Sequence, residues 1–156
     1  MFLEIKKKYD GVVYKRRVST DFAQAMRFLT EGIPPESGDY VARQVTAEMT
    51  HMIRRDGLIP RAAVFYDRRA FHGADDPELR LTLDGNIRYR LGDLDLRNGT
   101  DGDTIPGQPF RIMEIKSASS IPLWLAGTLS ELGIHPGSFS KYGSVYKQRF
   151  QDLCTT

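Results

Sequence analysis

One cysteine, three histidines and a net charge of only +2 are what this 156-residue chain has least of. A lone thiol, Cys154, excludes a disulfide framework and points to a reducing, cytoplasmic setting. His51, His72 and His135 have no metal-ligand spacing and read as ordinary surface or satisfied side chains. No apolar run approaches the roughly 18 residues of a spanning helix, and no secretory leader is visible, so membrane insertion is not expected. The segment PGSFSKYG, 136–143, lacks the spacing of a phosphate-cradling glycine loop. There is no solenoid-type repeat, and the length suits a single domain. With 22 cations against 20 anions, bulk charge makes no case for nucleic acid. What the cations do depends on where they sit.

The first cations sit in FLEIKKKYDGVVYKRR, residues 2–17. Asp10-Gly11 is a two-residue hairpin signal, because a type I′ turn needs positive φ at both central positions. That turn places Tyr9 opposite Val12, Lys6 opposite Lys15, Ile5 opposite Arg16 and Glu4 opposite Arg17. One face then carries Glu4, Lys6, Lys8, Val13, Lys15 and Arg17. The other carries Leu3, Ile5, Tyr9, Val12, Tyr14 and Val18, with Lys7 and Arg16 as exceptions. At about 5 Å in an intermediate dielectric, Lys6 and Lys15 repel by on the order of 3 kcal/mol, and by much less if the face is fully wet. A solvated face and a polyanion-binding face both fit this hairpin taken alone.

Downstream, Asp21 caps a helix to about Thr30 that ends at Gly32, and a second helix fits Asp39 to Arg55 with Gly57 as its stop. Val41, Val45, Met49, Met52 and Ile53 form its apolar stripe. A strand follows over 61–71. The segments LRLTLD and IRYRL read as a second hairpin closed by a three-residue loop, Asp84-Gly85-Asn86. Its register sets Thr82 opposite Arg88 and Arg80 opposite Arg90. Arg80, Thr82, Arg88 and Arg90 then share one face, and Leu79, Leu81, Leu83, Ile87, Tyr89 and Leu91 form the core face. Residues 92–109 read as an irregular loop. PFRIMEIKS is a further strand, with Glu114 and Lys116 on one face. IPLWLAGTLSELG is a helix with Trp124 in the core, and the chain ends in a loop with a last helical turn or two. The expected class is α+β with an antiparallel sheet.

If such strands curl closed, their cationic faces line a wet, basic lumen, and their apolar faces pack against helices outside. Phosphate chains suit that lumen, and its carboxylates suit a divalent ion bridging phosphate oxygens. Tyr9, Tyr14 and Tyr89 point away from the cations in these registers, which argues against base stacking and nucleic acid.

In order along the chain, FLEIKKK, YKRR, YDRRAF, LRLTLDGNIR, MEIK, PLWL and FSKY closely resemble the VTC domain, the polyphosphate polymerase domain of vacuolar transporter chaperone type. That family belongs to the triphosphate tunnel metalloenzyme (CYTH-like) superfamily. The resemblance implies a VTC-like domain over 1–150 with a tail at 151–156, folded as an antiparallel β-tunnel (barrel) with helices packed outside. It implies transfer of the ATP γ-phosphate to a growing polyphosphate chain with Mn2+ or Mg2+. Matched residue by residue, Lys6, Lys15, Arg17, Arg68, Arg80 and Lys141 fall on catalytic positions. Glu114 falls on the metal-binding glutamate, with Glu4 as a second metal carboxylate. Lys8 and Lys116 join the substrate-binding set, to which the facing argument adds Arg88 and Arg90. Phe2 stands where the wider superfamily often has its first glutamate. The family's first strands are expected upstream of Phe2, so a preceding segment or a partner chain would complete the tunnel. A non-catalytic polyphosphate- or nucleotide-binding module and a triphosphate hydrolase of the same superfamily stand as alternatives.

Overall fold

Two aspartates and two glycines frame the first two helices, as the sequence predicts. The computed structural model describes residues 1–10, 12–108 and 110–154, with only the backbone for 149–154. Helix α1 spans Phe22–Glu31; Asp21 accepts from the Gln24 N–H at 2.8 Å, and Gly32 closes the helix at φ 71°. Helix α2 spans Tyr40–Asp56, capped by Asp39 through the Ala42 N–H at 2.7 Å and ended by Gly57 at φ 60°. Each cap supplies an acceptor for an orphan N–H, and each glycine adopts a left-handed conformation costly for other residues.

The chain divides into two compact units, Met1–Pro60 and Arg61–Thr156. In the first, β1 (Phe2–Tyr9) and β2 (Val12–Ser19) pair antiparallel in the register read from the sequence, including Lys6 with Lys15 and Glu4 with Arg17. Asp10 holds φ 46°, as a primed turn requires, and Gly11 lies outside the described residues. The core joins Leu3, Ile5 and Val18 of the hairpin to Ala25 and Phe28 of α1 and Val45 and Met49 of α2. These hairpin residues all lie at the open end, so the tip projects past the core. Tyr9, Val12 and Tyr14, expected on the core face, are therefore exposed, as is Val41 at the start of α2. Lys7 and Arg16 turn toward α2 instead, where both pair with the carboxylate of Glu48.

Among its described residues the second unit is a four-stranded antiparallel sheet with two helices. Its strands are β3 (Ala63–His72), β4 (Arg80–Arg90), β5 (Asp103–Thr104) and β6 (Ile112–Lys116). Strand β4 is central, with β3 along one side and β6 and β5 end to end along the other. Asp84-Gly85-Asn86 is not a hairpin loop but the middle of an 11-residue strand. The same residue types suit a bulge: Asn86 sits at φ 51°, and the register against β3 shifts between Phe65 and Asp67. Strands β3 and β6 both pair with Asp84, which holds β4 straight through the point where a turn was expected.

The extra residue reverses the alternation of side chains. Arg80, Thr82 and Asp84 share a face with Ile87 and Tyr89, whereas Leu81, Leu83 and Gly85 share the reverse face with Arg88 and Arg90. Helix α4 (Lys141–Cys154) is 14 residues long where the sequence suggested a turn or two. Its Val145 packs with Ile87, Tyr89 and Ile105 on the first of those faces. Helix α3 (Leu123–Glu131) buries Leu125 alone of the LWL run; Leu123 is 89% and Trp124 65% exposed. Three successive residues fan around a helix by about 100° each, so one packing stripe takes only one of them. The expectation of a core Trp124 is corrected accordingly. No helix among the described residues is long and apolar enough to cross a membrane.

The bulge predicts a specific substitution pattern. Asn86→Gly should leave the urea unfolding free energy within about 0.5 kcal/mol of the parent, while Asn86→Val should lose about 1–2 kcal/mol through the left-handed backbone. Equal stability of the two variants would contradict a bulge at this position.

Candidate phosphate-binding site

The centre of the second unit's polar face is a carboxylate. Asp84 is only 2% exposed, and a buried charge persists only when it is paired and hydrogen-bonded. Arg68 lies directly across the β3–β4 ladder and donates to it through Nε at 2.6 Å and Nη2 at 2.7 Å. Lys141 donates its Nζ to Asp84 at 2.6 Å. Lys141 is the first residue of α4, fixed there because the Ser140 hydroxyl accepts from the Gly143 N–H at 3.1 Å. The Tyr66 ring lies under both cations, 5.2 Å from the Arg68 guanidinium and 4.4 Å from the Lys141 ammonium. The Arg68 hydrogen bonds, then those of Lys141, hold the Asp84 carboxyl below its ordinary 3.8 against the opposing effect of burial. Asp84 in turn raises the Arg68 guanidinium above its usual range. Two cations and one anion leave this cluster with a net positive charge.

Farther along the same face, β4 places Arg80 directly opposite Lys116 of β6, with His72 of β3 on its other side. Thr82 stands opposite Glu114, whose carboxylate meets Lys116 at 3.1 Å. Among the described residues Arg80 reaches only Glu78, at 4.0 Å, and both Arg80 and Lys116 are more than half exposed. From Asp84 to Arg80 is four residues, about 13 Å of strand. The face is thus a strip with a partly buried, ion-paired cation pair at one end and a more exposed pair at the other.

The first unit carries a similar strip by itself. Lys6 faces Lys15 across the hairpin, flanked by Lys8 and Arg17. Lys15 meets Glu4 at 2.7 Å, and Arg17 lies over the Phe2 ring at 4.7 Å. Like charges therefore stand directly opposite each other in both sheets, although Arg80's partner is Lys116 rather than the Arg90 expected from the sequence.

The bulge removes Arg88 and Arg90 from Arg80's face, which corrects their expected placement. Arg88 pairs with Asp67 at 3.1 Å. Arg90, 11% exposed, donates to the backbone carbonyls of Asn98 at 2.9 Å, Asp95 at 3.0 Å and Gly99 at 3.5 Å, and its guanidinium lies 5.0 Å from the Phe65 ring. It organises the loop between β4 and β5. Asp84 is the residue that sequence reasoning missed. The alternation Arg80-x-Thr82-x-Asp84 carries the signal, but reading Asp84 as a turn residue hid it.

Among the described residues no three acidic, histidine or cysteine side chains converge as a metal cage. Glu114 and Glu4 are each ion-paired to a lysine. Hard divalent ions that arrive on phosphates need only one or two protein carboxylates. The half-exposed Glu114, beside Arg80 and Lys116, fits that kind of ion rather than a resident one.

Removing the central anion should be costly. Asp84→Ala leaves two cations facing each other without it and should lose about 3 kcal/mol of stability in urea titrations. Because the folded carboxyl is held low, its contribution is complete only well above the ordinary 3.8 and is lost as pH falls from there through the folded value. Wild type should therefore lose stability more steeply than Asp84→Asn as pH falls below about 5. Parallel curves would show that Asp84 is not ion-paired in the fold.

Among curated proteins, none matches this sequence. The family model described as VTC domain matches residues 1–150, a span that holds both cationic strips, the Asp84 cluster and Lys141. The chain belongs to the VTC domain family, a polyphosphate polymerase-like family.

Proposed function

We propose that the chain binds inorganic polyphosphate and ATP on its cationic strand faces and transfers the ATP γ-phosphate to the polyphosphate end. The observation that carries this reading is the pairing of like charges straight across both ladders, Lys6 with Lys15 and Arg80 with Lys116. Such pairs cost stability in the free protein, and a chain of phosphates lying between them turns repulsion into binding. Closure of these strands into a tunnel, as the family resemblance implies, is part of the proposal.

The residues divide the work. Arg68 and Lys141 are oriented by Asp84 and present their remaining donors as a fixed phosphate seat. Arg80 and Lys116 are hydrated and adjustable, suited to successive phosphates of different lengths of chain. Lys6, Lys8, Lys15 and Arg17 offer the equivalent surface in the first unit. In the reaction a terminal phosphate oxygen attacks the γ-phosphorus in line, the bond to the β,γ-bridging oxygen breaks, and ADP leaves. The cations neutralise charge on the non-bridging oxygens, and no covalent enzyme intermediate forms. Manganese or magnesium ions held at Glu114 in the second unit, or separately at Glu4 in the first, would add Lewis-acid neutralisation of the phosphate oxygens.

A second reading, binding without turnover, is favoured by the lysine ion pairs that engage both of those glutamates. Incubation with ATP and manganese separates the two. Polymer formation is expected, and Arg80→Ala should lower its rate about 100-fold, the usual effect of removing one charge-stabilising donor. Polyphosphate binding without polymer or released phosphate would leave the binding reading. Unchanged polyphosphate affinity in both Lys6→Ala and Arg80→Ala would overturn the proposal.

A further inference from the structure

The reverse face of the second sheet holds cations that the strip described above does not use. The register sets Arg69 opposite Leu83 and Leu83 opposite Met113, with Asp67 opposite Gly85 in the next row. Arg111, two residues before Met113, lies on this same face. Together Asp67, Arg69, Leu83, Gly85, Asn86 and Arg111 line a cleft of about 460 Å³ that Arg68 also borders. Its one carboxylate is already engaged: Asp67 accepts from Asn86 Nδ2 at 2.8 Å and from Arg88 Nη2 at 3.1 Å. Arg69 has no hydrogen bond or ion pair among the described residues.

Arg111 is not a free surface arginine. A Cβ on Gly85 would fall 2.7 Å from its Cδ and 2.8 Å from its Nε and Nη1, so the side chain lies flat on backbone that only glycine leaves bare. Nη1 donates to the Phe110 carbonyl at 3.1 Å. A guanidinium has five N–H donors, so most of Arg111's remain, held in place with their rotamer entropy already lost. Diagonally across the face, in the neighbouring row with Leu83 and Met113, stands the unpaired Arg69. Two forks around a small apolar floor match the geometry of an anion that accepts from several donors at once.

The geometry points to a second phosphate site on the back of the sheet, formed by Arg69 and Arg111 over Gly85 and taking a short phosphate chain or a phosphorylated small molecule. Neither arginine is among the residues proposed for transfer, although Arg68, which is, borders the same cleft, and Asp84 adjoins its floor at Gly85.

Tripolyphosphate titrated into the full chain, followed by amide NMR, tests this. The probe variant is Arg80→Ala/Lys116→Ala, which weakens the front of the same sheet. In it, the Gly85 and Asn86 amides should shift saturably. Arg69→Ala and Arg111→Ala, each added singly, should weaken that response at least tenfold, while a dispersed spectrum reports that the fold is kept. As a second measure, Arg69→Lys should retain more affinity than Arg69→Ala. No saturable shift at Gly85, or one indifferent to both arginines, would overturn the site. Loss of polyphosphate binding by the front variants alone would bear only on the transfer proposal.

Discussion

A single buried carboxylate organises the second unit. Asp84 accepts two hydrogen bonds from Arg68 and an ion pair from Lys141, and those donors come from β3 and α4. A carboxylate removed from water needs several donors to remain charged, so burial of Asp84 obliges the strand and the helix to meet over it. The same contact fixes the heads of two cations that would otherwise sample many rotamers. A polar interaction of this kind contributes little net stability, but it specifies where positive charge stands. Val145, four residues beyond Lys141, then packs against Ile87 and Tyr89, so the ion cluster and the apolar core are joined by one helical turn.

The bulge at Asn86 makes that junction possible. Without the extra residue, Ile87 and Tyr89 would lie on the opposite face from Asp84, and α4 could not cover the core while reaching the carboxylate. With it, one face of β4 is polar and charged over its first half and apolar over its second. Bulges often re-aim side chains beside functional sites, and here the re-aiming separates Arg80 from Arg88 and Arg90. The last two become scaffold: one neutralises Asp67, the other gathers the carbonyls of the following loop.

Much of the first unit was legible in the sequence because its rules are local. Asp10-Gly11 sets a one-to-one register, and the capping aspartates and terminal glycines mark both helices. The second unit was less legible because its rules are not. Asp84-Gly85-Asn86 suits a turn and a bulge equally, and only the presence of β3 and β6 on either side decides between them. The reading that Arg80 faces another cation survives, since Lys116 replaces Arg90 in that role, but the partner belongs to a strand 26 residues away along the chain from Arg90 to Lys116. Gly143 disguised the length of α4, and the apolar run at Trp124 suggested burial that a helix cannot give to three successive residues.

Both units thus present like charges in direct opposition, an arrangement whose cost Glu4 and Glu114 relieve in part and a polyanion would relieve further. A crystal structure of the chain with tripolyphosphate tests this most directly. Phosphate oxygens should lie within about 3 Å of Arg68, Arg80, Lys116 and Lys141, with Asp84 still joined to Arg68. Tripolyphosphate bound with none of these side chains in contact would contradict the role assigned to the cationic faces.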